Sequence, residues 1–127
     1  MTQRVSYQYV VLRCVPRPER EEFCNVGVVL YCHATDFLGV AHRVDEARLS
    51  ALAPGLDLAH VHRGLAYAEA VASGSPAAGA ASGERTSQRF GFLKAPRSTV
   101  LQPGPVHGGV CEDPAAALGR LLDAYVD

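Results

Sequence analysis

Tyr7-Gln8-Tyr9-Val10-Val11-Leu12-Arg13-Cys14-Val15 is an aromatic and β-branched run that holds no glycine and stops at Pro16. A second run, Phe23-Cys24-Asn25-Val26-Gly27-Val28-Val29-Leu30-Tyr31-Cys32, follows the charged, proline-bearing stretch Pro16-Arg17-Pro18-Glu19-Arg20-Glu21-Glu22. Both runs have the residue types that fit a pleated surface and read as β-strands. Proline cannot donate to a ladder, so the stretch between them reads as a turn and the two runs as a hairpin. Neither strand alternates cleanly between apolar and polar. A strand of that kind is covered on both faces, which puts the hairpin in the middle of its sheet.

Outward from the hairpin, a break at Ala34-Thr35-Asp36 precedes a third strand, roughly Phe37 to Arg43. Asp45 is placed to cap a short helix that Pro54-Gly55 ends. Asp57 caps the next helix, whose Leu58, Val61, Leu65, Ala68 and Ala72 step by three and four into one apolar stripe. Residues 74–84, Gly-Ser-Pro-Ala-Ala-Gly-Ala-Ala-Ser-Gly-Glu, have little to bury and read as a flexible internal loop. Arg89–Leu93 and Thr99–Gln102 read as short strands, and Val106–Cys111 as a further extended piece. Asp113 and Pro114 open a last helix with Leu118, Leu121, Leu122 and Tyr125 on its buried side. The chain has 127 residues, enough for one core. The expected fold is α+β. It is a single domain over 1–127, mainly an antiparallel sheet with the N-terminal hairpin at its centre and about three helices packed on it.

Composition narrows the function classes. The chain is 48% hydrophobic and 20% charged, which is globular, and no apolar run reaches the ~20 residues of a membrane span. The N-terminal stretch has no small-residue cleavage site after its apolar part, so the expectation is a cytoplasmic protein without a signal peptide. Net charge is −1, from 12 basic and 13 acidic residues, so a nucleic-acid backbone is not the expected partner. Lys94 is the one lysine, and every other base is arginine. Cys14, Cys24, Cys32 and Cys111 lack metal-knuckle spacing and read as small buried hydrophobes in a reducing compartment. Neighbouring residues on a strand face opposite ways, so Cys32 and His33 cannot share a metal. No metal and no cofactor are expected.

A few polar residues stand out. Arg13 lies inside an apolar strand, where a charge is costly without a partner. It reads either as a salt bridge to Glu21 or Glu22, or as a planar clamp for a carboxylate or phosphate. Asn25 precedes Val26-Gly27-Val28. A glycine in a strand marks a bulge or a close backbone approach. Asn25 either pins that bulge or reaches a ligand or partner on the face of Arg13. The segment Arg85 to Val110 carries Arg85, Arg89, Lys94 and Arg97 with no acid inside it, and reads as a solvated loop or an anion-binding surface. Phe90 and Phe92 flank Gly91, which on a strand would put both rings on one face. His107 precedes Gly108-Gly109, and a histidine beside a glycine pair can serve as an acid or base. Cys111, four residues on, would lie about 13 Å away along a strand, too far for a dyad. P-loop, dinucleotide, H-E-x-x-H and G-x-S-x-G motifs do not occur.

Tyr7 to Pro16 followed by Arg20-Glu21-Glu22-Phe23-Cys24-Asn25-Val26-Gly27-Val28-Val29-Leu30 resembles the opening of the DUF3037 family, a bacterial family of unknown function. Arg89 to Leu93, Arg97-Ser98-Thr99-Val100, His107 and Asp113-Pro114 resemble its second half. The resemblance implies a small cytosolic single-domain protein with no assigned activity. Its genes stand often beside those of HipA-like kinases, which implies a companion subunit. It also marks Arg13, Glu22, Asn25, Gly27, Arg97, Ser98, Thr99 and His107 as the polar signature. The expected function is therefore a non-catalytic accessory or interaction protein, with a HipA-like kinase as its expected protein partner. The other reading is a small enzyme or binding protein for an anionic or phosphate-bearing small molecule, with Arg13, Asn25, Arg97, Ser98 and His107 converging on one pocket. Nucleic-acid binding is the least expected, and homo-oligomerisation stays open.

Overall fold

The computed structural model of the chain describes residues 3–97 and 99–126. β1 (Val5–Cys14) and β2 (Cys24–Cys32) form the antiparallel hairpin that the sequence predicts, closed through a short 3-10 turn at Pro18–Arg20. β3 (Phe37–His42) pairs with the outer side of β2. β4 (Leu101–Pro103) and β5 (His107–Cys111) both pair with β1 on its other side, β4 at Leu12–Cys14 and β5 at Val5–Tyr9. The sheet therefore runs β3-β2-β1 and ends in an edge split into two short strands. All pairings are antiparallel. The hairpin is central, as its lack of alternation requires.

Residues of β1 alternate between two cores. Val10, Leu12 and Cys14 face α1 (Glu46–Leu52), α2 (Leu58–Ser73) and α3 (Thr86–Lys94). Tyr9 and Val11 face α4 (Pro114–Tyr125). The first core holds Leu49, Val61, Leu65, Val71 and Phe90, and the second holds Val28, Leu30, Cys32, Cys111, Ala117 and Leu118. Each fully buried Leu or Phe stabilises by about 1.5–3 kcal/mol. The caps are where the sequence puts them. Asp45 accepts from the Arg48 N–H, Asp57 from the His60 N–H, and Asp113 from the Ala115 and Ala116 N–H groups. Gly74 ends α2 at φ 70°, a left-handed position that suits glycine. No helix among the described residues is long and apolar enough to cross a membrane.

Two expectations need correction. Residues 74–84 do not form a bare loop. Pro76–Gly83 winds into 3-10 turns against α2 and buries Ala78 and Ala81. Alanine is small enough to let this backbone lie directly on the helix, so the tract buries more than its side chains suggest. Arg89–Leu93 is not a strand but part of α3. On a helix, residues two apart point nearly opposite ways. Phe90 is accordingly buried against Tyr31, with ring centroids 5.2 Å apart, while Phe92 is exposed. The described residues thus hold four α-helices and two 3-10 segments where about three helices were expected.

Candidate functional site

Between β1 and β2 the register slips. Leu12 faces Gly27, but Arg13 faces Asn25, so Val26 is an extra residue. This β-bulge re-aims its neighbours. Val26 turns into the α2-side core. Asn25 falls opposite Arg13 on the α4 side, where its Nδ2 donates to the Tyr125 carbonyl at 3.1 Å. Asn25 therefore serves the C-terminal end of α4. Arg43, which no sequence pattern singles out, serves the same end. It donates to the Val126 carbonyl at 2.8 Å and to the Asp123 carboxylate at 2.9 Å.

α4 packs over β2 and β3. The rest of that sheet face carries Arg13. The expected ion pair from Arg13 to Glu21 or Glu22 does not form among the described residues, because Glu22 pairs with Arg20 instead. The Arg13 guanidinium lies over the Phe23 ring, 4.2 Å from its centroid. Gly104 lies against it as well. A Cβ at Gly104 would come within 3.1 Å of the Arg13 Cζ. The aromatic ring and the glycine backbone thus both pack against the guanidinium. The Arg13 Nε–H is buried and has no hydrogen-bond partner among the described residues. Phe23 itself is 46% exposed.

Four residues along the same face, Tyr9 centres an aromatic group. Its hydroxyl is 2.8 Å from that of Tyr125, and its ring centroid is 5.2 Å from the His107 imidazole and 6.0 Å from the Tyr7 ring. Burial, and then the hydrogen bond with Tyr125, push the Tyr9 phenol up to about 12. Arg13 and His107 share this face but stand about 13 Å apart along β1, since His107 pairs with Tyr9.

The other signature residues lie elsewhere. Arg97 donates to the Phe92 carbonyl and, with Thr99, lines a cavity of about 180 Å³ beside α2, on the opposite face of the sheet. The Thr99 hydroxyl donates to the Leu101 carbonyl at 2.7 Å, and the Gln102 amide donates to the Thr99 carbonyl at 2.8 Å. Glu22 lines a second cavity, on the same side as Arg97. Ser98 lies outside the described residues. A single pocket holding Arg13, Asn25, Arg97 and His107 together is not formed. The basic segment disperses too. Arg89 donates to the Val71, Ala72 and Glu84 carbonyls and ties the end of α2 to α3, while Lys94 lies over the Phe90 ring.

The thiols belong to the cores. Cys14 is pushed up to about 11 by burial and by the nearby Cys24, and burial also raises Cys111. Phe23, Tyr125 and Gly104 carry no sequence signal of a site, because each meets Arg13 or Tyr9 only in the tertiary fold. Gly27 is the legible sign of the bulge. A search among curated proteins and one among solved structures each returned no match. A family model does match: that of DUF3037, a protein family of unknown function, covers residues 9–126, nearly the whole chain, and the chain belongs to this family.

Proposed function

We propose that this is a non-catalytic interaction protein that docks a partner protein on the α4-side face of its sheet, around Arg13. The observation that carries this reading is the Arg13 guanidinium packed against Phe23 and Gly104, beside a ring that is itself exposed. Arginine and aromatic side chains dominate the energetics of protein interfaces, above all where the group is already fixed before binding. The fork suits a carboxylate on the partner. Phe23, with Tyr125 further along the face, supplies apolar contact area. The partner suggested by the family resemblance is a HipA-like kinase. That suggestion rests on gene neighbourhood, which is association and not mechanism.

The test is co-purification of the tagged chain with a HipA-like kinase from the same genome. The wild type is expected to retain the kinase, and so is Phe92→Ala, whose exposed ring sits on α3 on the other side of the sheet. Phe23→Ala is expected to weaken capture by ~30-fold or more, the loss of about 2 kcal/mol typical of a central interface residue. Failure of the wild type to retain the kinase removes the named partner. Equal retention by Phe23→Ala removes the docking face.

A further inference from the structure

We infer that the cleft between the β1–β2 turn and the α1–α2 connection is a binding site for a small amphipathic carboxylate. The site lies on the α2 side of the sheet, opposite the docking face around Arg13, so the two readings stand or fall separately.

The cleft encloses about 550 Å³. That lies within the range of pockets that bury a small organic ligand. Its apolar wall is Leu52, Pro54 and Leu56, from the end of α1 and the connection to α2, together with Val100 from a separate part of the chain. A cavity of about 180 Å³ adjoins it and shares His60 and Val100.

The charges around the wall determine what kind of ligand fits. Arg17, Arg20, Glu22, Asp57 and His60 are the ionisable groups of the larger cleft. Arg20 and Glu22 pair with one another. Asp57 caps α2 through the His60 N–H, and its other oxygen lies 3.9 Å from Arg63. Each of those charges therefore has an opposite charge or a donor. The Arg17 side chain has no hydrogen bond or ion pair among the described residues, and it is an exposed part of the lining of this largely apolar cleft. The adjoining cavity adds Arg97, whose described hydrogen bond is to a carbonyl and not to an acid. Arg17 and Arg97 are thus the cations of the two cavities whose side chains meet no acid among the described residues, and both border apolar side chains. A flat or branched apolar body with one anionic head is the chemistry that satisfies both features. Arginine's planar fork favours a carboxylate as that head. A doubly charged, strongly hydrated anion would gain nothing from the Leu52–Leu56 wall.

The experiment is an amide NMR titration of the full chain with 2-naphthoate and, in parallel, with its neutral counterpart 2-naphthylmethanol. The acid is expected to shift the amides of Arg17, Leu52, Leu56 and His60 saturably, with at least fivefold higher affinity than the alcohol. Arg17→Gln, an exposed substitution, is expected to bring the acid down to the affinity of the alcohol and to leave the alcohol unchanged. Shifts that are absent or lie outside the cleft would overturn the site. Equal affinity of acid and alcohol, or an Arg17→Gln variant that binds the acid as before, would overturn the role of the charge. Acetate giving the same saturable shifts at the same concentrations would overturn the need for an apolar body.

Discussion

The Arg13 guanidinium packs on Phe23 and Gly104 and leaves one buried donor unanswered. An unmade buried hydrogen bond costs about 1–3 kcal/mol, while the aliphatic stem of the residue still packs usefully. If Arg13 serves the proposed docking face, stability and recognition make opposite demands at this position. Arg13→Met keeps the stem and removes the donor, so its unfolding free energy is expected to equal or exceed that of the wild type by up to ~1 kcal/mol in denaturant titration. A loss of more than about 1 kcal/mol would mean that the arginine is there for the fold. The oddity of Arg13 is legible in the sequence, because a charge in an apolar strand always needs an account. Its answer is not legible. The expected acid is Glu21 or Glu22, close by in the chain, whereas the groups that hold it are Phe23 and Gly104. Glu22 turns instead to Arg20, a nearer partner within the turn.

At the scale of the element, the β-bulge in β2 connects sequence to site. It brings Asn25 to the α4 side and lets Gly27 pass close to β3. A Cβ at Gly27 would stand 2.9 Å from the Ala41 carbonyl oxygen, which is backbone and cannot swing aside. Gly27→Ala is therefore expected to destabilise by about 1–3 kcal/mol, an overpacking cost read as a lowered denaturation midpoint. An unchanged midpoint would show that β3 shifts freely. The bulge is legible in the sequence, because a glycine inside an apolar strand has few other uses. The strands and helices with strong local signals are equally legible: the hairpin, the Asp45, Asp57 and Asp113 caps, and the stripe of α2. The segments that mislead are those whose state depends on distant packing. Arg89–Leu93 has aromatic residues at strand spacing, but Arg89 binds carbonyls at the end of α2 and holds the segment as a helix. Pro76–Gly83 gains its order from contact with α2, which no local pattern reveals.

For the whole molecule, sandwiching the central hairpin between two cores places ionisable groups where water is scarce, and this sets a pH limit. The Cys14 thiol rises from its ordinary 9.0 to about 11, and the Tyr9 phenol from 10.0 to about 12. Both groups are neutral when protonated, and folding favours that form. The stability due to Cys14 is fully present below pH 9 and is lost as the pH rises through about 11. That due to Tyr9 is present below pH 10 and is lost through about 12. A two-unit shift corresponds to roughly 3 kcal/mol. Unfolding free energy is thus expected to fall between pH 9 and pH 11, and to fall less in Cys14→Ala. A profile flat to pH 11 would refute the burial of these groups. The same layering puts α4 over β2 and β3, and the proposed docking face is the Arg13 side of that same sheet face. The most direct test is the dissociation constant of the proposed partner, a HipA-like kinase, for wild type and for Arg13→Met, measured by calorimetry beside each variant's thermal midpoint. The expected result is at least tenfold weaker binding by Arg13→Met with an unchanged or raised midpoint. Equal binding by the two proteins would contradict the assignment of this face.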